Sequence, residues 1–410
     1  MNFRLALAAA LLALPLHAAH ASLDLAVDNR GLSLGNSPHL TGLRINFRDS
    51  DVREINGVNI TLWKARDNSR AVYNGISLGL IAPEGRHLNG ISIGLGGVAA
   101  DGDIKGIAIG GLGAGAGGDI TGITFGLLGA GIGGDATGLL IGGLGSGIGG
   151  DLTGVSFGLI GTGTGGNARG FVLSGIGSGV GGNLTGLSFS IIGGGIGGNM
   201  DGIAIGGVGN GVGGNARGLV GGLIGSGVGG SLTGLSISGI GAGIGGDLKG
   251  IAIGGIGVGV GGNLTGLIGG IGGAGVGGDL KGIAIGGLGA GAGEDIEGIV
   301  LAGLLARGGG DITGLTVGLG GVRAEETLKG ISLSILSIGA EEQKGFSFSA
   351  LNGYVFEDFW FRKINRTTTG ISIGLINYAP ELKGAQLGLL NFAGNNPKWA
   401  RLLPFINLHL

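Results

Sequence analysis

The chain contains no cysteine, so neither a disulfide nor a thiolate nucleophile or metal ligand enters its chemistry. Proline is almost as scarce, and none of its six copies lies between Pro83 and Pro380. Proline cannot donate a backbone hydrogen bond, so this gap is what an uninterrupted ladder of stacked strands requires. Charged residues make up only 12% of the chain and the net charge is -2, which leaves no electrostatic case for a nucleic-acid partner. Nearly half of those charges gather in residues 42–90 and 323–366. Past residue 21 the only histidines are His39, His87 and His409. No zinc, nucleophile-elbow or phosphate-loop motif accompanies them, and the chain reads as a non-enzyme.

Glycine is what the chain has, 109 residues of it. From Gly90 to Gly330 one phrase recurs every sixteen residues, as in Gly122–Thr137, GITFGLLGAGIGGDAT. A unit of this size cannot bury its own apolar face and must stack on its neighbours. Alternations such as Ile123-Thr124-Phe125 and Val155-Ser156-Phe157 predict a short strand with one buried face. Pairs such as Gly133-Gly134 predict turns with positive φ. The expected fold is all-β, a β-solenoid (β-helix) of about 14–18-residue, mostly sixteen-residue, glycine-rich coils, each with two or three strands. Four or five aliphatic side chains per coil would fill its core. Glycine at this density, costing about 1 kcal/mol per residue in a helix, excludes transmembrane helices.

Residues 1–21 read as a secretory signal peptide: Arg4, then the apolar run Leu5–Leu16, then Ala19-His20-Ala21 as a small-x-small cleavage site. The expected organisation continues with an N-terminal cap at 22–41 and irregular polar coils at 42–89. The regular solenoid follows at 90–344, an aromatic-rich insertion at 345–369, and terminal coils with a C-terminal cap at 370–410. The polar early coils carry Arg44, Arg48, Arg53, Lys64 and Arg66, read as protection for exposed strand edges.

The terminal copies carry a resemblance. Leu40–Trp63, Gly75–Ala82 and Gly370–Leu410, with Gly370/Asn377 and Gly384/Asn391 in matching places, are similar to bacterial repeat proteins that include the leptospiral surface-repeat family. The resemblance covers about a hundred residues at the ends. In the middle, glycine replaces the asparagine and Gly-Gly-Asp/Asn is added. It implies an exported or surface-located protein and carries over no catalytic residue.

Two constellations stand out. A row of Asp and Asn includes Asp103, Asp119, Asp135 and Asp151; stacking would bring neighbouring carboxylates about 5 Å apart. Such a row either holds Ca2+ or, the favoured reading, caps its own turns. Near the C-terminus Tyr354, Phe356, Phe359, Trp360, Phe361 and Arg362 cluster, either as a partner-binding patch or, preferred, as a cover over the solenoid end. The expectation is an exported structural rod or spacer that mediates surface interaction or adhesion, with no cofactor and no catalysis. Its partner would be a protein or glycan at the cell surface, or a further copy of itself. The alternatives are an outer-membrane-associated protein, suggested by the alternating tail Phe405–Leu410, and a self-assembling fibre subunit.

Overall fold

The structure, a computed structural model, describes residues 22–357 and 360–409. The signal segment and Phe359 lie outside the described residues. All regular structure among them is strand, and the described residues fall into two compact units that divide between Gly181 and Gly182, each a β-solenoid.

In the first unit each regular coil has two strands, a long one such as Leu152–Gly158 and a short one such as Gly161–Thr164. Coils stack parallel and in register sixteen residues apart, Leu152 on Ala136 and Gly161 on Gly145. The second unit repeats this, with Leu248–Gly254 between Leu232–Ser238 and Leu264–Gly270. The expected β-solenoid is therefore present, with two strands per coil.

Its interior is not the expected one. In Gly122–Thr137 the buried side chains are Thr124, Ala130, Ile132 and Ala136, while Ile123 and Leu127 are exposed. The same phase holds elsewhere: Ser156, Val172, Ala204 and Ala252 lie inside between outward-facing aliphatic or aromatic neighbours. The reason is volume. Long and short strands lie so close that Gly126 faces inward with no room for a side chain: a Cβ there would overlap the Gly129 carbonyl and the Ala114 amide. The slot position between the two outward-facing residues takes Ala, Ser, Thr or Val in most coils, with Leu140 and Ile268 as the large exceptions, and the larger buried aliphatics enter at the first residue of the long strand, as Ile120 and Leu152 do.

The glycines also serve different ends from those expected. Gly133 and Gly134 do not adopt positive φ; they are glycines because a Cβ would strike the Gly117 carbonyl or the Asp119 carboxylate. Positive φ belongs to the glycine that opens each phrase, for example Gly154 at 133°. At Gly163, on the outer face of the short strand, an added Cβ would meet nothing within 4 Å. Gly163→Ala should therefore be neutral or stabilising by about 0.5–1 kcal/mol through unfolded-state entropy alone; a clear drop in thermal midpoint would show that this face is covered in the folded protein.

Both termini close with antiparallel strands. Ser22–Val27 folds back on Arg30–Gly35 through Asp28 and Asn29, both at positive φ as a tight hairpin turn demands. Leu402–His409 runs antiparallel to Glu381–Ala393. A reversed strand occupies the ladder edge on which another coil would otherwise add.

The early polar coils are polar inside as well as at the surface. Arg44 is fully buried. Its Nη1 donates to Asp49 Oδ1 at 2.6 Å and to Asn59 Oδ1 at 2.7 Å, and Nη2 donates to Asn36 Oδ1 at 2.7 Å. Asp49 Oδ2 also accepts from Asn59 at 3.1 Å and from the Tyr73 hydroxyl at 2.8 Å. Burial first, and the Asp49 charge second, hold the Tyr73 phenol well above its ordinary range, so it stays a donor. Arg44 is thus the centre of a buried ionic core, not an edge guard.

Candidate interaction surface

The residues turned outward from the long strand form the largest chemical feature of each unit. In a regular coil they are the second and fourth residues of the phrase, followed by the sixth and seventh at the turn into the short strand. In the first unit the outward face holds Ile107, Ile123 and Phe171 and the turn holds Leu112, Leu128, Leu144 and Ile160. From Gly90 to Leu390 none of these four positions carries a polar or charged side chain. Stacked about 4.8 Å apart, they make an aliphatic wall in each unit.

The opposite edge of the coil is polar. Asp103, Asp119, Asp135 and Asp151 do lie in a row, but each carboxylate is engaged with the next coil. Asp103 Oδ1 accepts the Asp119 backbone N–H at 3.0 Å, Asp119 that of Asp135 at 2.8 Å, and Asp135 that of Asp151 at 2.7 Å. The second unit continues the scheme with Asn199 to Asn215, Asn215 to Ser231, and Ser231 Oγ to Asp247. What Asp, Asn and Ser share is a short side-chain acceptor, and this explains why they interchange. The caps therefore staple neighbouring coils, where the sequence suggested that each residue caps its own turn. Each bond is exposed and contributes on the order of 0.5–1 kcal/mol. Among the described residues no three His, Asp or Glu side chains gather as a metal site.

The aromatic segment forms an antiparallel hairpin, Tyr354–Glu357 with Trp360–Lys363, in which Phe356 pairs with Phe361 and Val355 with Arg362. Residues 345–348, placed in the expected insertion, instead complete an ordinary coil strand, Glu342–Phe348, between Thr327–Leu333 and Thr367–Ile373. The hairpin is held by Val355, which is buried, and by Tyr354 against Tyr378 at 5.8 Å. Tyr378 in turn stacks on Phe392 and lies under Lys363. Burial raises the Tyr354 phenol above its ordinary value. Phe361 is 45% exposed.

In the second unit the wall ends in an apolar groove of about 580 Å3 lined by Phe348, Ile373, Leu375, Leu387, Leu389 and Phe405. Phe405 has φ 67° beside the register shift between Gly388 and Asn391; the bulge turns this ring outward. The three histidines stay apart. His87 Nδ1 accepts the Asp103 N–H at 3.2 Å, and His409 Nδ1 lies 2.6 Å from Asn396 Oδ1.

The chain matches no family model, no curated protein and no solved structure.

Proposed function

We propose that this chain is an exported, non-catalytic structural protein whose β-solenoid scaffold presents an aliphatic wall for docking at the cell surface. The observation that carries this reading is the uncharged outward phase of the long strands. A typical soluble monomer has a largest contiguous apolar patch of about 300–600 Å2. With each half-exposed aliphatic leaving on the order of 80 Å2 in water, the four wall positions pass that bound within about three coils. The wall favours an apolar partner over a glycan, because none of its four positions carries a polar or charged side chain. The signal-like residues 1–21 and the resemblance of the terminal copies support export.

The combined variant Leu128→Ser/Leu144→Ser/Ile160→Ser tests this. All three side chains are about half exposed, so its melting should stay within about 2 °C of wild type. External protease on intact producing cells should cleave the wild type, which should remain with the cells through a salt wash. The variant should be released to the medium. If it stays attached like wild type, the wall is not the docking surface.

A further inference from the structure

The turn row of the wall in the first unit is built as a comb. At the sixth position of successive coils stand Leu95, Gly111, Leu127, Gly143, Leu159 and Gly175, a large side chain in every second coil. The three leucines are 67%, 55% and 57% exposed. The amides of Gly111, Gly143 and Gly175 bond to carbonyls seventeen residues back, as does that of Leu127, whereas those of Leu95 and Leu159 bond sixteen back. A Cβ on Gly143 would overlap the Leu127 carbonyl, and one on Gly111 the Leu95 carbonyl.

Stacking does not force this alternation. In the second unit Gly239 and Gly255 follow one another, as do Gly287 and Gly303, and the large residues Leu223, Ile271 and Leu319 come every third coil. The first unit's comb is a choice of sequence within a fold that tolerates others. Its shape is specific. Side chains in adjacent coils, about 4.8 Å apart, would close the row against insertion. Leaving out every second one opens gaps of about 9.6 Å between teeth, enough for one aliphatic side chain from a facing surface. The surface that offers such teeth at that spacing is this same row.

We infer that the first unit's leucine comb docks against the comb of a second copy of this chain, turned about a two-fold axis so that the leucines of each copy enter the glycine notches of the other. This rests on the reading of the wall as a docking surface and names its partner. A stable dimer buries about 800 Å2 per partner. At on the order of 80 Å2 per half-exposed aliphatic, about ten side chains suffice, and the turn row from Leu95 to Ile176 with its flanking wall residues supplies them. Two-fold pairing closes the assembly at two copies.

Light scattering and sedimentation of the purified full chain across a concentration series test the inference. Two chains per particle are expected. Leu127→Ser/Leu159→Ser should weaken the dimer at least tenfold, while Thr137→Ala/Thr153→Ala, at exposed positions outside the wall, should leave it intact; circular dichroism confirms that each variant is folded. A monomer at every concentration would overturn the inference. So would tooth variants that dimerise like wild type, mass that keeps growing with concentration, or association seen only with phosphatidylcholine vesicles. A monomeric chain whose cell attachment still depends on Leu128, Leu144 and Ile160 would leave the broader reading standing.

Discussion

Gly154→Ala should destabilise the first unit by about 3–5 kcal/mol and lower its thermal midpoint by roughly 8–16 °C. Two costs combine. At φ 133° the backbone occupies a region essentially closed to residues with a Cβ. The new methyl also falls inside the van der Waals shell of the Gly138 carbonyl oxygen in the coil beneath, and that oxygen belongs to a ladder that cannot move alone. Gly163→Ala, nine residues on in the same coil, changes the same atoms and meets open space. The pair separates steric demand from the general cost of altering a glycine-rich strand. Since a solenoid gains stability coil by coil, hydrogen exchange should show Gly154→Ala loosening its own and adjacent coils first. Equal midpoints for the two variants would mean that coils do not approach as closely as the structure shows.

Replacing Arg44 has a comparable cost for a different reason. Arg44→Met keeps most of the side-chain volume but leaves the Asp49 carboxylate buried with only neutral donors, which should cost about 3–5 kcal/mol. Adding Asp49→Asn removes the stranded charge and should restore at least half of the loss, giving a coupling energy readable from a double-mutant cycle. Arg66→Met, whose side chain is 71% exposed and 3.5 Å from the equally exposed Asp67, should change stability by less than about 0.5 kcal/mol. If Arg44→Met matches Arg66→Met in a thermal melt, the buried network is not what fills these coils.

The period, the strand content and the need for caps were all legible in the sequence because each depends on repetition and on backbone donors. The proline-free interior and the sixteen-residue phrase state them directly. The facing of the long strand was less legible, because side-chain volume decides it and hydrophobic alternation does not. In Gly122-Ile123-Thr124-Phe125-Gly126 the glycines share a phase with Thr124, and a narrow slot takes a small residue at that middle position in most copies, with Leu140 and Ile268 as the large exceptions. The comb was visible too, as a thirty-two-residue spacing of Leu95, Leu127 and Leu159, hidden by the shorter period. The buried role of Arg44 was not legible, since its partners Asn36, Asp49, Asn59 and Tyr73 come together only once the irregular coils are stacked. The Asp/Asn row showed its regularity, but a bond from each side chain to the coil above depends on how adjacent turns stack.

The aliphatic wall exists only if the long strand is inverted in this way, and the absence of cysteine permits a direct test of it. Ile123 is 43% exposed and Thr124 fully buried, although they are neighbours in one strand. Ile123→Cys and Thr124→Cys variants of the full chain, each with a single thiol, would be mixed with a maleimide under native conditions and again in denaturant. The structure predicts rapid native labelling at 123, and protection at 124 until the chain unfolds. Protection at 123 with free labelling at 124 would place the aliphatic phase inside, and the wall would not exist.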